Sequence, residues 1–434
     1  MISKNEFIQR RKSLMQQLPH DAVAVIPGAC EQQRNSDVHY PFRQNSHFLY
    51  LTGFSEPQAI LVLTGGQSLL FCQPTSILTE TWTGPLLGPQ NALAQLGVDL
   101  AFSRESFLDE LKQILAGKTA IYYPFLQSGD WEKSLFQAWK AARSKNREDN
   151  GLNSSFVDLT PILAELRLFK SEAEIVCMQS AIDCSVNAHL SVMKKVRSCQ
   201  YEYELLAIFQ HELIRQACTE TAYPSIIASG HNTCILHYTQ YTRRWQNSDL
   251  LLIDAGGEWQ GYAADITRTY PVSGQWSKEQ QSIYELVLHA QIQAIAAIRP
   301  GVVWSHMQQI TTQILTQGLV DLGILKGSVS GLIEQQAYKA FYMHNSGHWL
   351  GLDVHDVGSY HINRSYRQLI PGMVLTVEPG LYFSARNTNI DPRWHGIGVR
   401  IEDDILVTSK GAKVLSQDLP KTITDIQDVM SHDC

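Results

Sequence analysis

LLLIDAGGEWQGYAADITRTY, residues 250–270, is the stretch on which the fold turns. Leu250 to Ile253 run straight into Asp254, and Gly256–Gly257 follow; after Gly261 a second strand-like run carries Asp265, Thr267 and Thr269. Glycine-bounded apolar and β-branched runs of this length read as a β-hairpin. A turn centred on Trp259–Gln260 sets Asp254 opposite Asp265, with Cβ atoms about 5 Å apart on one sheet face. Two facing carboxylates repel, and protonation, water or a cation must relieve them. The ordinary explanation of such a pair is a solvated hairpin tip. The entry strand argues otherwise, because LLLI before Asp254 has no polar alternation and reads as buried on both faces. A buried carboxylate pair points to a metal or catalytic site whose other donors lie elsewhere in the chain.

The chain has 434 residues, a length that suggests two to three domains and a sizeable core. Apolar residues make up 44% and charged residues 18%, an ordinary globular balance. The formal charge of −7 implies no basic face for nucleic acid or anionic lipid. The first residues, MISKNEFIQRRKSLMQQLPHD, are polar and amphipathic, without the apolar core of a signal peptide. No apolar run reaches the roughly 18 residues of a membrane helix. The eight cysteines form no CxxC pair, which favours reduced thiols and a cytoplasmic location.

Outward from the hairpin, residues 1–168 mix the strand-like runs 22–28, 59–63, 68–72 and 119–123 with helical patterns at 5–18, 104–116 and 129–143, an α/β pattern. The aromatic-rich stretch 35–54 reads as a domain edge, with an interface or a binding cleft as the alternative. The polar segment 144–155 is the best linker candidate. Ser171 and Glu174 form a capping box ahead of a helix through Leu190, and a second helix follows near 202–217. After the hairpin the order repeats, with helices at 278–298 and 303–322 and then more β-type sequence. Two helix-pair-then-sheet halves suggest a duplicated α+β domain built on one sheet.

Three later stretches supply further donors. In HNSGHWLGLDVHD (344–356), His344 and His348 have a chelating spacing, but Asn345-Ser346-Gly347 favours a loop, and either histidine alone reads as structural. MVLTVEPGLYF (373–383) ends an apolar strand at Glu378, where Pro379-Gly380 stop it. GIGVRIEDDILV (396–407) puts Ile397, Val399 and Ile401 on one face and Arg400, Glu402 and Asp404 on the other; a surface strand competes with a central one continuing through Val407. Four carboxylates and a histidine are the donor set of a pair of hard or borderline divalent ions, with Mn²⁺, Mg²⁺ or Co²⁺ favoured over thiolate-bound zinc. Two such ions about 4 Å apart bring bound water toward ionisation near neutral pH. HELIR (211–215) lacks the second histidine of a helical zinc site, and no GxSxG elbow or phosphate-binding glycine loop is present.

With those residues in hand, the sequence resembles the pita-bread metallopeptidases, and among them the aminopeptidase P branch. The resemblance is carried by ILHYT (235–239), LIDAG and YAADITRTYPV (within 252–272), HWLGLDVHD (348–356), MVLTVEPGLY (373–382), GIGVRIEDD (396–404) and, further upstream, YPFRQNSHFLYLTGF (40–54). It spans nearly the whole chain, with departures at His231-Asn232 and Trp394-His395. The fold it implies is α+β: a C-terminal pita-bread domain (169–434) of duplicated helix pairs and a curved antiparallel sheet, and a smaller N-terminal α/β domain (1–168) carrying oligomer contacts and an access rim.

The activity it implies is dinuclear metal-dependent removal of the first residue from peptides with proline second. Asp254 then chelates one ion, Asp265 and Glu402 bridge both, and His348 and Glu378 hold the second. Two divalent ions are implied, Mn²⁺ foremost, with Mg²⁺, Co²⁺ or Zn²⁺ as alternatives. Glu378 also takes the proton of the attacking water. His237 and His355 bind substrate and shuttle protons or steady the oxyanion. Arg400 orders the carboxylates or contacts substrate, and His344 contacts substrate or orients His348. Trp82 lines a cleft, its own or a neighbouring subunit's, in a homodimer or homotetramer. Prolidase, which cleaves only Xaa-Pro dipeptides, is the nearest alternative. Methionine aminopeptidase lacks the long N-terminal domain, and a non-catalytic relative or metal-free creatinase would not keep all five donors.

Overall fold

The computed structural model describes residues 1–125, 131–145 and 155–431, which fall into two compact units, Met1–Arg167 and Leu168–Cys434. Most of the predicted linker, 146–154, lies outside the described residues. The strand that follows it, Ser155–Asp158, pairs in parallel with Ala120–Tyr123 inside the first unit's sheet. The segment therefore connects elements within one unit, and the division falls at Arg167–Leu168. Polarity marked a loop there, but only strand pairing decides which unit a loop serves.

The first unit is built on a six-stranded sheet in the order Leu100–Ser103, Gln67–Cys72, Ile60–Thr64, Ala22–Pro27, Ala120–Tyr123, Ser155–Asp158. Val23, Val25, Val62 and Phe71 pack with Phe107 and Leu111 of one helix and Trp131 and Leu135 of another. The aromatic-rich stretch is divided. Gln33–His39 forms an exposed two-strand ribbon, whereas Ser46–Thr52 is a buried helix, capped by Asn45 and ended by Gly53.

In the second unit the capping box at Ser171 and Glu174 opens the helix Glu172–Lys195, and Glu202–Arg215 follows. Strands Ile226–Ser229, Leu250–Asp254 and Thr267–Pro271 then form an antiparallel ladder. The plan repeats: Lys278–Ala297, capped by Ser277 and Gln280, then Ser305–Asp321, then strands Val374–Val377, Asp403–Thr408 and Gly411–Val414. Gly380–Phe383 pairs separately with Ile397–Arg400.

The expected single sheet is thus divided into short ladders. At one seam the Thr269 hydroxyl replaces a backbone rung, accepting from Arg400 N–H (3.2 Å) and donating to Arg400 O (2.9 Å). The expected continuous strand through Glu402 is also interrupted: Ile401 and Glu402 lie between Ile397–Arg400 and Asp403–Thr408. The central reading is right in burial, since Val399, Ile401, Glu402 and Asp404 are all buried. Among the described residues no helix is long and apolar enough to cross a membrane.

Candidate metal centre

The hairpin that sets the site turns one position later than its sequence suggests. Trp259 pairs with Tyr262 and Asp254 with Thr267, so the turn is Gln260–Gly261 rather than Trp259–Gln260. Both turn residues have positive φ (+52° and +86°), as a two-residue primed turn requires. Glycine tolerates that conformation at little cost, while a bulky Trp259 does not. Moving the turn by one shifts the pairing by two residues, which leaves every side chain on its original face. Asp265 therefore keeps the face of Asp254 without standing directly opposite it. The strands close tightly at Gly256, where a Cβ would come within 1.8 Å of Ala264 O.

Tyr223 joins the two carboxylates, its hydroxyl lying 2.7 Å from Asp254 Oδ1 and 2.6 Å from Asp265 Oδ1. Arg400 Nη2 donates to Asp254 Oδ2 at 2.5 Å, and Asp265 N–H donates to Asp404 Oδ2 at 3.1 Å. From the second half, His348 brings Nε2 to 3.2 Å from Asp265 Oδ2 and 3.8 Å from Glu378 Oε1. Its Nδ1 bonds the Trp349 carbonyl at 2.9 Å, a contact that calls for a proton on Nδ1 and turns Nε2 toward the carboxylates. Glu402 accepts from Thr267 Oγ1 at 2.7 Å. Ligating atoms of Asp265, His348 and Glu402 lie within 4.8 Å of one another.

These groups line one cavity of about 650 Å³, a volume typical of small-ligand sites. Asp254, Asp265, His348, Glu378 and Glu402 all face it, and so do His237, His344, His355 and Arg400. Trp82 belongs to the first unit, on the helix Ile77–Thr83, and is 83% exposed. His344 sits beside Glu378 (3.6 Å) and Tyr382 OH (2.9 Å), while the Trp349 carbonyl is what orients His348. Arg400 spans Asp254, Tyr382 OH (2.8 Å) and Thr267 Oγ1 (3.3 Å), an arrangement that orders carboxylates. Tyr223 and Tyr382 have no role in the sequence patterns above, and Thr267 enters them only as a strand residue. Thr267 and Tyr382 lie inside recognisable motifs, but nothing in their spacing announces a partner.

The electrostatics describe a site short of positive charge. Burial pushes the Glu378 carboxyl up to about 7, reinforced by Asp265 and Asp254. Burial, then Asp265, Glu378 and Asp254, hold Glu402 well above the carboxylate range. Burial alone would lower His348, but its bond to Asp265 and the nearby charges hold it at about 9. Protons on these groups stand where cations would serve equally. The donor chemistry fits the same conclusion: three buried carboxylates, the partly buried Glu378 and an imidazole nitrogen, with no thiolate in the lining, suit hard or borderline divalent ions.

Residues 176–409 match Metallopeptidase family M24, and residues 7–122 match the aminopeptidase P N-terminal domain. The chain is 44% identical to the Xaa-Pro aminopeptidase of Haemophilus influenzae, over 99% of this chain and 98% of that one. It is 41% identical to the Escherichia coli Xaa-Pro aminopeptidase, with the same coverage. Among solved structures, an aminopeptidase from Pseudomonas aeruginosa superposes with a TM-score of 0.96 at 42% identity, covering 99% of this chain and 98% of that one. Escherichia coli aminopeptidase P with the inhibitor Pro-Leu superposes with a TM-score of 0.95 at 40% identity and the same coverage.

Proposed function

The chain belongs to metallopeptidase family M24, and from that premise we infer that it is a metal-dependent Xaa-Pro aminopeptidase, freeing the first residue of peptides with proline second. The observation that carries this reading is the convergence of Asp254, Asp265, His348, Glu378 and Glu402 on one cavity. The aminopeptidase P N-terminal domain over 7–122 favours it over prolidase.

We assign Asp254 to one ion, His348 and Glu378 to a second, and Asp265 and Glu402 to both, within the pita-bread plan of paired helices and curved sheet. When bound, two such ions lower the pKa of water and polarise the scissile carbonyl. Manganese is our choice for an oxygen-rich donor set. Glu378 accepts the proton of the attacking water at a carboxylate oxygen. The proline nitrogen must gain a proton as it departs, and a histidine supplies one near neutral pH. We assign this to His355, supported by its ring standing edge-on to His348 with centroids 4.4 Å apart, and His237 faces the same cavity. Arg400 and Tyr382 hold Asp254 and His344 in place.

Arg-Pro-Pro tests the function, because an Xaa-Pro aminopeptidase releases free arginine from it. Cleavage confined to Xaa-Pro dipeptides would establish prolidase instead. His355→Ala is expected to lower turnover by about 10²-fold while metal stays bound, as followed by arginine release and elemental analysis. Unchanged turnover removes His355 from the reaction. Cytoplasmic location and a homo-oligomer complete the proposal. The exposed Ile77, Leu78 and Trp82, on one helix, support a subunit contact and a substrate contact for Trp82. A monomeric elution volume would refute the oligomer.

A further inference from the structure

Glu202 opens the helix Glu202–Arg215 and is fully buried, yet no basic side chain is needed to hold it. Instead its two oxygens are filled by a single neighbouring segment. Oε1 accepts from Ser229 N–H (2.8 Å), Ser229 Oγ (2.7 Å) and Asn232 Nδ2 (3.1 Å). Oε2 accepts from Tyr238 OH (2.7 Å) and Arg243 N–H (3.1 Å). Arg243 extends the network, its Nη1 donating to Ser229 Oγ and to Asp249 Oδ2. A buried carboxylate is costly unless its lone pairs are met, and five donors meet them here.

The segment these bonds fix has little order of its own. Between the 3₁₀ turn Gly230–Cys234 and the strand at Leu250 it forms no helix and no strand, only a single bridge at Arg244. His237 lies in its middle, exposed into the cavity that holds the carboxylates, while the next residue, Tyr238, points inward and is buried. The Tyr238–Glu202 bond therefore fixes the backbone one residue from a group on the substrate side of the cavity. Directional bonds of this kind set position more narrowly than apolar contact does.

We propose that Glu202 is a positioning residue for the reaction: through Tyr238, Asn232, Ser229 and Arg243 it fixes where His237 stands over the substrate. The proposal rests on the substrate role assigned to His237. Glu202 touches neither substrate nor the reacting atoms.

The test is a double-mutant cycle in the manganese-loaded, full-length enzyme, with Arg-Pro-Pro as substrate. Glu202→Gln, Tyr238→Phe and His237→Ala are made singly, and the first two are combined with the third. Metal content and melting temperature are read beside kcat and KM. Tyr238→Phe removes one hydroxyl and keeps the ring, so it remains informative if Glu202→Gln does not fold. Tyr238→Phe is expected to lower kcat/KM by about 10-fold, in line with the cost of a misplaced contact, with metal content unchanged. In the His237→Ala background the same substitution is expected to cost nothing further, the signature of groups that act as one unit. Equal fold-losses in both backgrounds, or a loss that follows metal content, overturn the positioning role. If His237→Ala alone leaves kcat/KM unchanged, the role assigned to His237 is what fails. A loss from Tyr238→Phe in that case places the action of Glu202 elsewhere and overturns this inference too.

Discussion

Asp265→Asn is expected to cost the enzyme its metal and at least about 10³-fold in kcat/KM, the equivalent of several kcal/mol of transition-state stabilisation. Asp265 is the carboxylate on which the halves of the site meet. One oxygen takes the Tyr223 hydroxyl, the other faces His348 Nε2 at 3.2 Å, and Glu402 stands within the same 4.8 Å cluster. An amide of equal size keeps the packing but removes the charge and one acceptor, so it cannot bridge two cations. The size of the stability change separates this from a folding defect. Without metal, burial first and then the neighbouring carboxylates raise Asp265, Glu378 (to about 7) and Glu402. Removing one negative charge relieves that repulsion. It also gives up the contact with His348, so the metal-stripped variant should melt close to the stripped parent, where a folding defect would melt well below it. Manganese, which should raise the melting temperature of the parent by mass action, should leave the variant unmoved. A variant that still binds two ions per chain would falsify the ligand assignment.

The same residues show how far a sequence carries such an argument. Of the five side chains that share the cavity, Asp254, Glu378 and Glu402 stand where an apolar run meets glycine, proline or a second acid, and such breaks survive in one dimension, whereas Asp265 is legible only through its partner strand. The hairpin register was not legible, because Trp259–Gln260 and Gln260–Gly261 both bracket the turn. What decides between them is which pair accepts positive φ. The wrong choice did little harm only because a two-residue shift preserves the face. Tyr223 illustrates a harder limit. It lies 31 positions before Asp254, and its hydroxyl acquires meaning only when both aspartates have been brought to it. The buried helix Ser46–Thr52 was hidden for another reason: its aromatic density reads as a domain edge, an interface or a cleft, and none of these announces a buried helix. The segment 144–155 was correctly polar and wrongly assigned, since composition locates a loop but not the sheet on either side of it. Glu202 is the extreme case, a helix-opening acid whose five hydrogen bonds come from four residues between Ser229 and Arg243, with no periodicity to read.

Asp403→Ala is expected to be the most destabilising of the single substitutions considered, at about 3–5 kcal/mol, the usual cost of stranding a buried partner charge. Asp403 follows Glu402 directly and is fully buried. Oδ1 accepts from Arg268 Nη2 and Ser416 Oγ, each at 2.7 Å; Oδ2 accepts from Gln291 Nε2 (2.7 Å) and Lys421 Nζ (2.6 Å). Burial alone would raise its pKa, but Arg268 and Lys421 overcome that and hold the carboxyl at about 2. Arg268 is likewise fully buried and also donates to the carbonyls of Thr267, Glu402, Leu419 and Pro420. The pair thus ties residues 419–420 to the backbone of Glu402, which faces the cavity, and of Thr267, which donates to it. Truncation leaves a guanidinium in the core with its carbonyl partners but no counter-charge, and a void beside it. Urea unfolding of the metal-free protein should show the midpoint fall at unchanged slope. Because the lost support lies behind Glu402 rather than in the cavity, residual folded protein should still bind manganese, more weakly than the parent. Arg268→Met in the Asp403→Ala background should recover much of the stability by removing the stranded charge. A midpoint that stays put in Asp403→Ala, or no recovery in the double variant, would show that the ion pair contributes little and that the surrounding core holds these strands without it.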